Sequence, residues 1–427
     1  MDFDLVVIGG GPCGSTAATF AKQAGMSVVL VEKDAFPRFH IGESLLPAGN
    51  ALMRRSGVWS KVLQAGFIVK TGARFCIADG ASEKRIDFSD GIIPVDATFQ
   101  VERAKFDGIL LDHARREGVD ARQGWKVTAL EQSPDDVTVT IQSAAGERQV
   151  IRARWCIDAG GRENHYPSEL KSRMDAPPLT PRVAVYSHFK YVFRTPGPEG
   201  GDTIVVRLED GWFWVIPISE EITSMGLVTT TGAMRAGGRD PEEVFRKAVA
   251  DSPFLRERFV HAVPVMGFRV TADYSYFRKE LARGRVVLAG DAGGFFDPIF
   301  SSGVYMGLWG ASEAVALIAR AHAAGRALTP RECARYAAKV KRHAGVFGKL
   351  IRAFYDNASF WVFMTPRPPL DIEPGINSVV AGHATMTWPL RWRLCLFFAA
   401  CWLSRCFWLL RARAINARVR DAGAAPG

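Results

Sequence analysis

The segment Gly9-Gly10-Gly11-Pro12-Cys13-Gly14 follows a short apolar run, Phe3–Ile8, and precedes a helical pattern over 13–24. A strand, a glycine turn, a helix and a second strand over 27–32 predict a βαβ unit of the dinucleotide-binding type. Gly9 permits the tight turn, Gly11 lets the backbone approach a pyrophosphate, and Gly14 lets the helix pack on the strand. The helix N-terminus, near Pro12 and Cys13, would present unpaired N–H groups to the phosphates.

The remainder of the 427-residue chain is predicted to form further helices and strands around this unit, and the length allows two domains. Helical periodicity covers 43–56, 103–117, 303–324 and 330–343, and the chain after 344 is helical and increasingly apolar. Strand patterns over 126–132, 136–142 and 147–154 predict a small inserted antiparallel sheet. Those over 183–193, 202–208, 212–218 and 224–230 predict a second sheet that carries the substrate, and 286–289 returns to the first domain as a buried strand.

The predicted fold class is therefore α/β, with a Rossmann-like dinucleotide-binding domain, an antiparallel substrate-sheet domain and a helical C-terminal extension. The predicted dinucleotide-binding domain comprises residues 1–75, 100–176 and 280–345. The substrate domain comprises 76–99 and 177–279, and the helical region 346–427.

The formal net charge of +10 favours anionic partners such as the phosphates of a dinucleotide, a small anion, an acidic protein or a lipid surface. Nucleic acid is set aside, because no recognition motif accompanies the charge. The seven cysteines show no metal-ligand spacing, which favours small core residues in a reducing compartment and no metal site. No signal peptide precedes the strand that starts at Phe3, so a cytoplasmic protein is expected.

The dinucleotide is expected to be FAD, because Gly290-Asp291 after a buried strand resembles the motif that holds the ribityl chain in aromatic-hydroxylase-type flavoproteins. Arg103 matches an arginine of that superfamily that lies against the cofactor; a solvated helix charge is the alternative. Glu32 would accept hydrogen bonds from ribose hydroxyls. The predicted cofactor residues are Gly9, Gly11, Pro12, Cys13, Gly14, Glu32, Lys33, Ser44, Arg103, Val127, Asp158, Asp291 and Gly303.

Three further segments resemble markers of the flavin-dependent halogenases: the WxWxIP pattern at 212–217, Phe39 to Pro47 with its Gly-Glu-Ser core, and Phe296 to Gly303. The resemblance spans roughly residues 1–347. It implies that reduced FAD, dioxygen and a halide give hypohalous acid, which crosses a short tunnel to an electron-rich aromatic ring. No second GxGxxG is present, so a separate reductase, or transient nicotinamide binding, is expected to deliver the reducing equivalents.

Lys70 stands in register with the lysine of that family and is the predicted catalytic residue; a surface lysine at a strand entrance is the alternative. A buried amine suits the role because burial lowers its pKa. The amides of Ser302 and Gly303, at a predicted helix start, would hold the halide, whereas an ordinary serine N-cap is the alternative. The predicted wall and tunnel residues are Trp212, Trp214, Ile216, Pro217 and Pro298.

The chain departs from the longer tryptophan halogenases, since none of Glu209, Asp210 and Asp297 can be chosen as a glutamate-like partner of Lys70. This favours the phenol or pyrrole branch, whose substrates are often tethered to an acyl or peptidyl carrier protein. The alternatives are an FAD-dependent hydroxylase, a geranylgeranyl-reductase-like flavoprotein, and a non-catalytic membrane-associated flavin module.

An apolar run at 394–403 lies among Arg391, Arg393, Arg405, Arg411 and Arg413. It is too short and too interrupted for a bilayer span, which takes about 20 apolar residues. Three interpretations stay open for 390–413. They are a core helix over the substrate cleft, an interfacial helix in peripheral contact with a membrane, and a docking face for an acidic carrier protein or a lipophilic substrate.

Overall fold

A computed structural model describes residues 1–95, 97–162, 173–175, 181–238, 240–272 and 275–423, with the backbone alone for 173–175 and 410–423. The strands are β1 (Phe3–Ile8), β2 (Val28–Glu32), β3 (Ile68–Lys70), β4 (Gly72–Ile77), β5 (Glu83–Asp87), β6 (Thr98–Gln100), β7 (Asp120–Gln123), β8 (Trp125–Gln132), β9 (Val137–Ser143), β10 (Arg148–Asp158), β11 (Arg173–Asp175), β12 (Arg182–Lys190), β13 (Thr203–Arg207), β14 (Gly211–Pro217), β15 (Ile222–Thr230), β16 (Val263–Pro264), β17 (Arg269–Ala272), β18 (Tyr276–Arg278), β19 (Ala282–Arg283), β20 (Val286–Leu288) and β21 (Gly294–Phe295). The helices are α1 (Pro12–Gln23), α2 (Ala48–Ser56), α3 (Trp59–Gln64), α4 (Arg103–Arg116), α5 (Thr231–Gly237), α6 (Pro241–Ala250), α7 (Pro253–Phe259), α8 (Ser302–Ala323), α9 (Pro330–Tyr355), α10 (Asn357–Met364), α11 (Glu373–Val380) and α12 (Trp388–Gly423).

The first sheet has the strand order β19-β20-β10-β1-β2-β7, and β1 is parallel to both β10 and β2. Strand β10 is long enough to belong to two pairings. Its first half, Arg148–Ala153, pairs antiparallel with β9, and its second half pairs parallel with β1. The antiparallel strands predicted as a small sheet inserted in the nucleotide domain extend the nucleotide sheet itself, because one continuous strand, β10, serves both pairings.

The second sheet has the strand order β16-β12-β15-β14-β13-β4-β5, with β17 also paired to β12. It is antiparallel except where β13 runs parallel to β4. The boundary predicted between residues 75 and 76 falls inside β4, because pairing with β13 draws all of Gly72–Ile77 into this sheet. Strand β14 is buried along its whole length.

Alternation along β14 sends its two sets of side chains into two different cores, as expected for a strand. Trp212, Trp214 and Ile216 enter the large core shared with α8 to α12, whereas Phe213 and Val215 pack against α6 and α7. The prediction that the two tryptophans share one face of their strand is confirmed.

Two predicted helices have different bounds in the structure. The helix predicted from residue 43 begins only at Ala48, because residues 43–45 are extended: Ser44 forms a bridge with Gln100, and the Leu45 N–H donates to the Phe99 carbonyl at 3.1 Å. The helix predicted to end at 343 continues to Tyr355 as α9. Its inner face is apolar beyond residue 343, and packing against the core extends it.

Gly226, on β15, has a neighbour that leaves no room for a side chain, since a Cβ there would lie 2.2 Å from the Trp214 ring. We expect Gly226→Ala to lower the free energy of unfolding by about 1–3 kcal/mol through overpacking. Gly108, inside α4, has nothing within 4 Å of its Cβ position. Gly108→Ala should instead raise the free energy of unfolding by about 0.5–1 kcal/mol. Urea denaturation of both variants measures the change in the free energy of unfolding, which should be negative for Gly226→Ala and positive for Gly108→Ala. Equal changes in the two variants would contradict the tight fit at Trp214.

Candidate active site

A cavity of about 450 Å³ lies between the two sheets, at the carboxyl ends of β1 and β2. Ligands bind in this position in open α/β sheets. The sequence-predicted residues that line it are Gly9, Gly11, Pro12, Cys13, Glu32, Lys33, Ser44, Arg103, Val127, Trp212, Trp214, Ile216, Asp291, Pro298 and Gly303. Gly14, Lys70, Asp158, Pro217 and Ser302 do not line this cavity, and Ser302 borders a small adjoining one.

The glycine turn after β1 brings three backbone segments together. Gly9 has φ +95°, and a Cβ there would lie 2.6 Å from the Ala159 carbonyl oxygen, while one at Gly14 would lie 1.8 Å from the Gly9 oxygen. A Cβ at Gly11 would meet only the Arg38 guanidinium, at 3.4 Å. The N-terminal amides of α1 therefore border the cavity beside an arginine, which suits a diphosphate.

Charged groups along the cavity are held by hydrogen bonds. The Arg103 guanidinium donates to both Asp107 oxygens at 2.7 and 2.9 Å and to the Ile41 carbonyl at 2.8 Å, and it is buried. The alternative of a solvated helix charge is thus excluded for Arg103. Arg38, which the sequence analysis missed, lies 3.2 Å from Asp107 and adds a second cation to the wall.

Acidic groups occupy the two ends of this cofactor region. The Glu32 carboxylate accepts from the Gly10 N–H at 2.5 Å and from the Asp34 N–H at 2.9 Å, which fixes it beside the glycine turn. Burial raises the pKa of Asp291 to about 6. Asp158 lies behind the cavity and accepts from the Gly160 N–H at 2.9 Å, so it shapes the turn. An elongated cavity with an amide-rich turn, two arginines and acids placed for hydroxyl groups fits FAD.

Trp212 and Trp214 form the part of the wall contributed by the second sheet, with ring centroids 5.9 Å apart. The Trp214 indole donates to the Ser224 hydroxyl at 3.1 Å. The Trp212 indole donates to the Tyr355 hydroxyl at 2.7 Å, and that hydroxyl donates to Asp297 at 2.8 Å. Because each indole N–H has a partner, both rings are fixed in place rather than free to swing into the cavity.

Asp297, considered as a partner of Lys70, has a different environment. Its second oxygen accepts from the Ile299 N–H at 3.0 Å, and burial raises the pKa of its carboxyl to about 6. It therefore holds the loop before α8 in place and joins it, through Tyr355, to β14.

Lys70 ends β3 and is 1% exposed, so it is not a surface lysine. Its ammonium nitrogen, Nζ, donates to the Ser44 hydroxyl at 2.8 Å and to the Leu45 carbonyl at 3.2 Å. Nζ also lies 5.3 Å from the centre of the Phe88 ring. Burial lowers the pKa of Lys70 to about 7, against the opposing effect of the Asp202 charge. A large share of neutral amine at neutral pH follows.

A chain of hydroxyl groups connects Lys70 with the large cavity. The hydroxyls of Ser44 and Thr203 lie 2.9 Å apart, and both residues line the cavity. The Gln100 amide donates to Thr203 at 2.9 Å and to the Gly201 carbonyl at 3.0 Å. The Lys70 amine is thus one hydrogen bond from the cavity wall.

Helix α8 begins at Ser302 in an unusual way. The preceding Ser301 has φ +55° and makes no side-chain cap hydrogen bond. The ordinary serine N-cap is therefore not observed. The first amides of this 22-residue helix are left for another acceptor beside Gly303 and Pro298, both of which line the cavity.

Sequence reasoning missed several residues that the fold brings to the site: Arg38, Glu43, Thr203 and Tyr355. Arg38 immediately precedes the recognised 39–47 segment and Glu43 lies within it, so that segment was a usable signal for both. Thr203 and Tyr355 carry no local signal, since their roles depend on contacts with residues more than 140 positions away.

The sequence and the fold were compared with known proteins. The model of the FAD binding domain family matches residues 2–340. The 1H-pyrrole-2-carbonyl-(peptidyl-carrier protein) chlorinase of Pseudomonas fluorescens is 36% identical over 333 residues, which cover 72% of this chain and 73% of that protein.

Solved structures agree with these matches. A flavoprotein/dehydrogenase from Cytophaga hutchinsonii has a TM-score of 0.85 at 29% identity, covering 94% of this chain and 99% of that one. The myxobacterial chondrochloren halogenase, a variant of the FAD-dependent halogenases, has a TM-score of 0.77 at 30% identity, covering 91% and 92% of the two chains.

The raised pKa of Asp297 makes a pH-dependent prediction. A carboxyl whose pKa is about 6 in the folded state and 3.8 in the unfolded state stabilises the folded state fully below pH ~4. This stabilisation is lost as the pH rises through about 6. Asp297→Asn has no carboxyl to ionise, so the variant does not lose free energy of unfolding in this way. Relative to the wild type, the variant's free energy of unfolding should therefore increase by up to ~3 kcal/mol between pH 4 and 7. Urea titrations measure the difference; the exposed Asp135→Asn serves as control, and a pH-independent difference would contradict the assignment.

Proposed function

Because this chain belongs to the flavin-dependent halogenases, FAD-dependent enzymes that halogenate aromatic substrates, we propose that Lys70 carries the oxidised halogen to the substrate ring. The observation that carries this proposal is a buried amine with pKa near 7, joined through Ser44 to the wall of the FAD-sized cavity. A hydroxylase and an isoprenoid reductase are not favoured, because the Pseudomonas fluorescens relative at 36% identity is a chlorinase and the similar structure at 30% identity is a halogenase.

The cavity residues divide into those that hold the cofactor and those that hold the halide. The α1 amides, Arg38 and Arg103 would bind the FAD diphosphate, and Asp291 the ribityl hydroxyls. Reduced FAD, when bound, supplies the chemistry by which dioxygen and a halide become hypohalous acid. The free amides at Ser302 and Gly303 would hold the halide at the positive end of α8.

Lys70 then acts as a neutral nucleophile. Its lone pair takes the halogen from hypohalous acid, an N–X bond forms, and the displaced hydroxide leaves as water with an amine proton. The ring attacks the halogen, the N–X electrons return to nitrogen, and the ring proton restores the amine. The Ser44 and Leu45 oxygens, as acceptors, fix the direction of the amine, so Ser44 is a positioning residue.

The tryptophan wall separates the FAD cavity from the compartment in which the substrate ring would lie. Trp212 and Trp214 are locked by hydrogen bonds between the cavity and the core around Phe75 and Phe354. A bulky ring therefore cannot reach the reacting end of FAD, whereas a small oxidant can pass. This arrangement favours halogenation over hydroxylation.

The partners follow from chemistry and resemblance. The chlorinase of Pseudomonas fluorescens acts, by its name, on a pyrrole carried by a peptidyl-carrier protein. We propose a carrier-tethered or free phenol- or pyrrole-like ring for this chain, whose net charge of +10 suits an acidic carrier. We also propose a cytoplasmic enzyme supplied with reduced FAD by a separate flavin reductase, and peripheral membrane contact through residues 390–413.

Lys70→Met tests the relay because it keeps the length of the side chain and removes the amine. With reduced FAD, dioxygen and bromide, ring bromination should fall at least about 100-fold, while FAD binding and oxygen consumption persist. In the wild type, bromination should rise with pH through about 7, since the neutral amine accepts the halogen. Retention of ring bromination by the variant would overturn the proposal.

Ser44→Ala and Ser44→Thr separate positioning from folding. Loss of an acceptor for the ammonium form should lower the pKa of Lys70, so the rise in bromination moves to lower pH in Ser44→Ala. More hypobromous acid should also escape, measured as bromination of a soluble scavenger. Ser44→Thr keeps the hydroxyl and should retain the wild-type profile. An unchanged profile in Ser44→Ala refutes the role of Ser44 without affecting that of Lys70.

A further inference from the structure

The first half of α12 is docked on the protein by one stripe of side chains. Leu390, Leu394, Phe397 and Cys401 are buried, and their spacing of three and four residues places them on one helix face against α10 and α11. The last polar contacts of α12 with the protein are a hydrogen bond and an ion pair. The Ser404 hydroxyl donates to the Ala358 carbonyl at 3.0 Å, and Arg405 lies 3.5 Å from Asp356.

Beyond those contacts the helix is apolar but uncovered. Trp402, Leu403, Phe407, Trp408 and Leu409 are 52–65% exposed. At 100° per residue these side chains point in several directions around the axis, so no single protein face could cover them. Five large apolar side chains within eight residues form an apolar surface that marks an interaction site.

The surroundings of this apolar segment are strongly basic. From Trp388 onward the sequence contains seven arginines and one acidic residue, Asp421. Arg405 is 61% exposed within the apolar stretch, and five other arginines flank it in sequence: Arg391, Arg411, Arg413, Arg418 and Arg420. Arg393 instead pairs with Asp371. Tryptophan and arginine together are typical of segments at the headgroup level of a membrane.

Trp388–Leu409 is long and apolar enough to cross a membrane by length and composition alone. Three observations favour shallow insertion over a span. Arg405 interrupts the apolar residues, the first half of the helix is bound to protein, and the apolar part beyond Ser404 is only about one and a half turns long.

We propose that the middle of α12, residues 402–409, inserts into the headgroup region of an anionic lipid surface, with neighbouring arginines bound to the lipid phosphates. This inference specifies the membrane contact of residues 390–413 and does not depend on the role of Lys70. It commits to anionic lipid because an acidic surface complements the arginines. A second copy of this chain would bring the same positive charges together.

Flotation of the full chain with vesicles tests the proposal. Vesicles of phosphatidylcholine with phosphatidylglycerol should bind the protein at least about tenfold more tightly than phosphatidylcholine alone, and high salt should reduce the binding. The double variant Phe407→Glu with Trp408→Glu should lose binding to background. The control, Val263→Glu with Val265→Glu, adds the same charge at the exposed sheet edge around β16 and should bind like the wild type.

Two further measurements identify the other outcomes. Both double variants should bind FAD and brominate a soluble phenol at the wild-type rate without vesicles, which shows that they fold. Light scattering on the wild type reports self-association. Equal vesicle binding by the two double variants would overturn the proposal. So would a wild type that does not bind anionic vesicles but forms a dimer that is lost in the Phe407/Trp408 variant.

Discussion

The burial of one amine, that of Lys70, constrains the junction between the two sheets. An ammonium ion taken out of water needs acceptors, and the nearest are a serine hydroxyl and a main-chain carbonyl rather than a carboxylate. This leaves the amine readily deprotonated. The extended segment 43–45 and the short β3–β6 pair meet at this nitrogen, and Thr203 is joined to it through the Ser44 hydroxyl. The local fold and the reactivity of the lysine therefore have the same cause.

The partition between the cofactor cavity and the interior depends on a second chain of contacts. Trp212, Tyr355 and Asp297 come from a strand of the second sheet, the end of α9 and the loop before α8. Their hydrogen bonds join three parts of the chain that are far apart in sequence. Because each of these polar groups has a partner, the wall beside the cofactor cavity is held in place.

The C-terminal helices α11 and α12 pack on the side of the molecule behind Lys70. Helix α11 packs on the turn that carries Phe88, whose ring lies beside Lys70, and the inner stripe of α12 covers α11. The Ile92 N–H donates to Ser378 at 2.8 Å and ties the same turn to α11. The side of Lys70 that faces away from the FAD cavity is therefore closed by the region that presents the apolar, arginine-rich segment of α12.

How far the sequence could predict the molecule depends on the range of each interaction. The βαβ unit, the glycine turn and the alternation along β14 were predictable, because local spacing and steric requirements determine them. Lys70 was predicted only through the family resemblance, since its local sequence alone favours a surface lysine at a strand entrance. The late start of α2, the extension of the nucleotide sheet through β10, and the roles of Thr203 and Tyr355 were not. The sequence by itself thus determined which segments bind phosphate and which face of a strand is apolar. Only the tertiary structure decided which hydroxyls reach the Lys70 amine, because those partners lie 26 and more residues away and meet only when two sheets pack together.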